Sequence, residues 1–351
     1  MPLDPFADPA DLLAALVDIE SVSGNERALA DAVEAALSGR PHLEVWRDGD
    51  AVVASTRQGR PTRVAIAGHL DTVPVKDNLP SRRVADRIYG RGASDMKGGV
   101  AVALGLAVAL EAPRHDVTWI FYDHEEVSGD LNGLGRLARV RPQVLAADFA
   151  VLMEPTSARV EGGCQGTSRF EITTTGQAAH SGRAWLGHNA IHDAAPILDR
   201  LAVYRPRTAV VDGLEYREGL NAVLISGGAA TNVIPDRCTV TVNFRFAPDR
   251  DEADARAHVA SVFEGYELVY TDFSPAARPG LDLPAAQEFL AAVGGTPLPK
   301  YGWTDVARFS ALGVPAVNYG PADPALAHTD DEFCPVGDLY ACRDALAAWL
   351  A

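Results

Sequence analysis

Four cysteines in 351 residues, none spaced as a C-x-x-C pair, leave little basis for a disulfide framework or a structural zinc knot. Cys164, Cys238, Cys334 and Cys342 are scattered along the chain, which fits reduced thiols. Basic residues are also scarce, 31 Lys and Arg against 47 Asp and Glu, for a formal net charge of -16. Such a chain has no basic field to release counterions from phosphate, so a nucleic-acid partner is not expected. An anionic small substrate would need a local cationic pocket. No apolar run approaches the length of a membrane span. The N-terminal residues carry Asp4 and Asp8 with no basic segment, unlike a secretory leader. The expectation is a cytoplasmic protein with no membrane partner. No internal repeat is visible.

What is present is enough for two domains and a sizeable core. Helical spacing of Leu12, Leu13, Leu16 and Val17, then of Leu29, Val33 and Leu37, predicts two helices broken at Ser21–Asn25. Three buried strands are predicted to end in chemistry. Arg63–Ala67 runs into Gly68-His69-Leu70-Asp71, Trp119–Tyr122 into Asp123-His124-Glu125-Glu126, and Asp148–Met153 into Glu154. In an open α/β sheet the crevice lies at the carboxyl ends of the strands. Asp95 stands at the entrance of an alanine-rich helix ending near Glu111, and Lys76–Arg87 reads as a surface loop. From about Phe170 the pattern becomes β-α-β-β-α-β, the order of a ferredoxin-like α+β unit, before a Pro- and Gly-rich return at Pro275–Leu283. The predicted division is 1–168 with 279–351 as a catalytic domain, and 169–278 as an insertion.

His69, Asp95, Glu126, Glu154 and His328 make a nitrogen and oxygen donor set suited to zinc or another borderline divalent ion, with no thiolate among them. A pair of such ions shares one carboxylate and polarises a carbonyl; Asp95 is the candidate bridge. Asp71, two residues beyond His69 on an extended backbone, is placed to accept that imidazole's other N–H. Glu125 is left as general base. Taken singly, each residue has a plainer reading. A lone His69 or His328 is more often structural, Asp95 can cap its helix, and Glu125 can simply neutralise nearby cations. The weight comes from five donors at the ends of elements.

These segments, with Gly90-Arg91-Gly92-Ala93-Ser94-Asp95-Met96-Lys97-Gly98-Gly99, Met153-Glu154-Pro155-Thr156 and Ala327-His328-Thr329-Asp330-Asp331-Glu332, span nearly the whole chain. They resemble the di-zinc aminoacylase/carboxypeptidase superfamily, most of all its branch of actinobacterial succinyl-diaminopimelate desuccinylases. The resemblance implies a zinc-peptidase-like mixed sheet with helices on both faces, plus an inserted ferredoxin-like dimerisation domain. It also implies two Zn2+ per subunit, with Co2+ or Mn2+ as substitutes. His69, Asp95 and Glu154 would hold one ion and Asp95, Glu126 and His328 the other, with a cis Asp95-Met96 peptide.

The implied reaction is hydrolysis of N-succinyl-LL-2,6-diaminopimelate to succinate and LL-2,6-diaminopimelate, in lysine and diaminopimelate biosynthesis. Deacylation of another N-acyl amino acid of the acetylornithine type, or cleavage of a peptide as a dipeptidase or carboxypeptidase, stands as the alternative, and a non-catalytic binding protein as the outlier. By the same resemblance His180, in Gly176-Gln177-Ala178-Ala179-His180-Ser181, would reach the active site of the second subunit of a homodimer and steady the oxyanion, and Asn232, Arg245 and Thr304 would contact substrate. His180 can also be read as an exposed loop residue, Asn232 as a turn former and Arg245 as half of a surface pair. The chain departs from many desuccinylases at Gly163-Cys164-Gln165-Gly166-Thr167, where those enzymes carry an Arg-rich turn.

Overall fold

The computed structural model describes residues 2–351 and divides them into two compact units. The first comprises residues up to Gly163, Pro279–Leu298 and Asp305–Ala351. Its frame is an eight-stranded mixed sheet. In spatial order the first six strands are Glu44–Asp48, Ala51–Ser55, Asp116–Tyr122, Arg63–His69, Phe149–Leu152 and Ala316–Asn318. Strand Arg63–His69 runs parallel to both of its neighbours, and Ala316–Asn318 continues the parallel set beside Phe149–Leu152. These central strands are buried along almost their whole length, as continuous runs of Val, Ile, Ala and Phe demand of a sheet covered on both faces. Helix Lys97–Ala109 packs on this sheet with nearly every residue buried, and Pro9–Val17 and Val336–Leu350 lie against it. Its Gly99 is fixed by that packing: a Cβ there would stand 2.1 Å from the Met153 carbonyl oxygen.

The second unit comprises Cys164–Arg278 and Pro299–Thr304. Its antiparallel sheet has the order Gly219–Gly227, Arg237–Phe246, Gly166–Thr175, Val269–Ser274. One face carries Phe170, Ile172, Val240, Val242, Phe244 and Phe246 into a core completed by Ile197, Val259 and Phe263 from the helices. The predicted boundary at residue 168 falls inside strand Gly166–Thr175, which pairs with Arg237–Phe246 from end to end, so Gly166–Ser168 belong with the insertion. Residues 299–304 join it as well, because Gln165 N–H donates to Lys300 O and Trp303 Nε1 to Pro275 O.

Other departures are local. The helix expected over Asn189–Tyr204 is split into Ala190–Asp193 and Ala195–Val203, with Pro196 in the first turn of the second piece. The expected surface loop Lys76–Arg87 contains a short strand that pairs with Arg87–Tyr89, which in turn pairs with Phe333–Pro335. A hairpin of Thr208–Val211 and Leu214–Arg217 was not expected.

Candidate metal centre

His69 ends its strand, and register sets it opposite Tyr122, the last residue of the neighbouring strand. On the other side Ala67 stands opposite Leu152, two residues before Glu154. The three predicted strand ends therefore lie side by side at one edge of the sheet. His69, Asp95 and Glu126 each bring one donor atom within 4.8 Å of the others. His69 Nε2 is 3.2 Å from Asp95 Oδ1, and His328 Nε2 is 2.9 Å from Glu126 Oε1 and 3.4 Å from Asp95 Oδ2. Asp95 thus faces one imidazole with each oxygen. The Asp95-Met96 peptide is cis. Asp95 does not cap the following helix, whose N-cap position is Met96.

Asp71 acts otherwise than expected. The imidazole Nδ1 of His69 is 2.9 Å from the backbone carbonyl of Asp71, against 3.5 Å for its carboxylate. That carboxylate instead accepts the backbone N–H groups of Glu125 and Glu126, at 2.9 and 3.0 Å, and the hydroxyl of Ser23 at 2.7 Å. It fixes the turn that presents the acidic pair. Glu26, fully buried, holds the same turn from behind by accepting the N–H of His124, whose backbone lies in the left-handed region at φ 59°.

The charges around this cluster are unbalanced. Burial raises the Glu125 carboxyl well above its ordinary range; His69 opposes the rise, while Glu154, Asp305 and Glu126 add to it. Burial works against a charged His69, yet the Asp95 hydrogen bond and the charges of Asp71 and Glu125 carry its pKa well above the usual value. Hydrogen bonds to Asp95 and Glu126 raise His328 to about 10. Two imidazole nitrogens facing two carboxylates, with the far nitrogen of His69 held by a carbonyl, fit a borderline divalent ion. Glu154 is buried and close enough for its charge to act on Glu125 and Tyr122.

The remaining predicted residues lie in the second unit. His180 is exposed and accepts the Gly182 N–H at Nδ1, which leaves Nε2 to carry the proton. Asn232 is exposed beside it, its carbonyl accepting the Ser181 N–H at 2.9 Å. Arg245 is half-buried in the middle of the sheet, opposite Thr167 and Gly219, and burial together with Arg169 lowers its pKa. No carboxylate among the described residues lies within ion-pair distance of it. Thr304 is buried. Ser23 and Glu26 were missed by sequence reasoning, since nothing local marks residues whose partners lie 48 and 98 positions away.

Residues 65–351 match the model of peptidase family M20/M25/M40. A Mycobacterium tuberculosis protein whose name marks it provisionally as a succinyl-diaminopimelate desuccinylase is 54% identical over 351 residues, covering 99% of each chain. The succinyl-diaminopimelate desuccinylase of Corynebacterium glutamicum is 47% identical, covering 96% of this chain and 94% of its own. Among solved structures, an M20 family metallo-carboxypeptidase from Sulfolobus solfataricus matches with a TM-score of 0.79 at 18% identity, over 98% of both chains. At that identity the likeness speaks for the fold.

Proposed function

Because the chain belongs to peptidase family M20/M25/M40, we propose that it is a metal-dependent amide hydrolase whose substrate is N-succinyl-LL-2,6-diaminopimelate, released as succinate and LL-2,6-diaminopimelate. The observation that carries the hydrolase reading is the meeting of His69, Asp95, Glu126 and His328 beside the Glu125 turn. The substrate reading is supported by the 47% identity, over nearly full length, to the Corynebacterium glutamicum enzyme. The place in lysine and diaminopimelate biosynthesis follows from that substrate.

His69, Asp95 and Glu154 would hold one ion and Asp95, Glu126 and His328 the other, zinc first, with cobalt or manganese as substitutes. Such ions, when bound, polarise the scissile carbonyl and acidify water. Glu125 takes the proton from the attacking water and returns it to the departing amine nitrogen, so no net proton is left on the enzyme. Asp71, through two backbone N–H groups, keeps that carboxylate aimed. The His180 Nε2–H would donate to the oxyanion in the active site of a second copy. A homodimer through the inserted domain is supported by strand Gly219–Gly227, a sheet edge whose Val223, Leu224 and Ile225 are 50%, 68% and 53% exposed. Arg245, half-buried without an acidic partner, suits a substrate carboxylate, with Asn232 and Thr304 as further contacts. No helix among the described residues is long and apolar enough to cross a membrane, and the proposed location is the cytoplasm.

A panel of succinylated, acetylated and dipeptide substrates, assayed with added zinc, tests the proposal. The N-succinyl substrate should exceed the N-acetyl one in kcat/KM by roughly 100-fold, because a site built for a second carboxylate leaves a cation unpaired when that carboxylate is missing. Preference for an uncharged acyl group would replace the succinyl reading with the acetylornithine-type one.

A further inference from the structure

We infer that Glu332 is a positioning residue of the metal centre: its carboxylate clamps the segment bearing Asp95 to the segment bearing His328. The inference deepens the metal-site reading above and rests on it. Glu332 is 1% exposed, and its carboxylate hydrogen-bonds to no side-chain donor atom of the cluster. Its Oε1 accepts the backbone N–H groups of Ser94 and Asp95, at 2.9 and 3.0 Å. Its Oε2 accepts the Gly92 N–H at 3.1 Å and the Arg91 guanidinium at 2.9 Å. Every one of these partners lies in the five residues ending at Asp95, 237 positions before Glu332 in the case of Asp95 itself.

Three N–H groups from one short stretch converging on a single carboxylate form an anion-binding nest, and a nest has one backbone shape. Gly92 adopts the φ of +81° that this shape needs. The result of that shape is the placement of the Asp95 carboxylate, one oxygen towards His69 and the other towards His328. The clamp also runs in the other direction. Arg91 Nη1 donates to the carbonyl of Thr329, and the Gly90 N–H donates to the carbonyl of Glu332, so both segments are bound twice over. His328 needs such holding. Its side chain is 51% exposed and its backbone is left-handed at φ 65°, a conformation that costs a non-glycine residue and persists where surrounding contacts impose it.

Glu332→Gln in the full chain is the test, because it keeps the shape while turning an amide NH2 towards N–H donors. Metal-free wild type and variant are titrated with Co2+ by visible absorption and with Zn2+ by calorimetry, beside thermal unfolding and steady-state kinetics. The wild type should take up two ions. The variant should unfold at a lower temperature than the metal-free wild type, because buried Arg91 loses its anion, yet stay folded at assay temperature, bind at least one ion about 10- to 100-fold more weakly, and show a changed Co2+ spectrum. Its kcat should fall while KM stays within about twofold, and Glu332→Asp should recover part of the lost affinity. Wild-type affinity and spectrum in Glu332→Gln would overturn the inference alone. A wild type that takes up no ion would overturn the metal-site reading, and this inference with it. Should both Glu332 variants fail to fold, Arg91→Ala decides, since it removes the side-chain ties from this segment to both Glu332 and Thr329. Weakened Co2+ binding in that folded variant supports the clamp, and unchanged binding overturns it.

Discussion

Two glutamates, buried Glu218 in one unit and half-buried Glu125 in the other, meet opposite treatment. Glu218 in the insertion accepts hydrogen bonds from Arg250 at 2.7 Å, Arg207 at 2.8 Å and the Ala247 N–H at 3.2 Å, with no side-chain exposure. Burial pushes its carboxyl upward, but the two guanidinium hydrogen bonds outweigh burial and leave the group below its ordinary 4.5. Glu125 has three carboxylates around it and one imidazole, and its carboxyl is driven up. Where guanidinium groups cancel the charge, the carboxylate belongs to the fold. Where the neighbours are acids, the carboxyl is held in a form that takes up a proton more readily, which suits a group that exchanges one.

Four changes break or sharpen this contrast, in decreasing order of effect. Glu125→Gln should lower kcat about 10²- to 10⁴-fold, the range for a general base, with metal content and unfolding temperature unchanged. Steady-state kinetics beside metal analysis reads this, and near-native turnover would remove Glu125 from the mechanism. Glu218→Gln should do the reverse. It removes the carboxylate shared by two half-buried guanidinium groups, of which Arg207 keeps Asp249, and should cost about 1 to 2 kcal/mol in denaturant unfolding, with turnover per folded molecule unaltered. An unchanged unfolding free energy would mean that the Arg207–Glu218–Arg250 network does not hold the insertion together. Asp71→Asn comes next, lowering kcat roughly 10-fold as the turn beneath Glu125 and Glu126 loses one of its two acceptor oxygens. If its kcat matches the wild type, the turn is held by Glu26 and its own geometry.

The smallest effect is in pH. Glu218 has a lower pKa folded than unfolded, so between the two values the unfolded chain binds the extra proton and stability rises with pH. Its contribution is complete above about 4.5 and is lost as pH falls through the lower folded value. Between pH 6 and 3 the wild type should therefore lose more unfolding free energy than Glu218→Gln, and parallel curves would contradict the assignment.

Much of the candidate site was legible because its expected donors sit where strong local patterns stop. His69, Glu126 and Glu154 each follow a buried apolar strand, and Asp95 precedes an unbroken alanine-rich helix. Asp71 shows where that reading fails. Alternation of side chains along a strand sends its carboxylate towards His69, but the strand ends at His69, and beyond it the carbonyl takes the imidazole while the carboxylate turns to Glu125 and Glu126. Glu26 had no signature, and Glu332 stood in the quoted His328 segment without a role, because the partners that define them are mostly backbone groups far away in the chain. The small sheet of Arg82–Val84, Arg87–Tyr89 and Phe333–Pro335 was hidden by its brevity, since three residues per strand are too few to display alternation.

The sequence by itself determined the elements: which runs are buried strands, which are helices, and that acids and histidines stand at their ends. The periodicity of burial is a local property, so a single chain can display it. Only the tertiary structure decided that Arg63–His69 lies between Asp116–Tyr122 and Phe149–Leu152, and that a loop near the C-terminus returns His328 to Asp95. Backbone hydrogen bonds are chemically alike in every strand, so the choice of neighbour is made by packing of the whole chain and leaves no mark on any one segment.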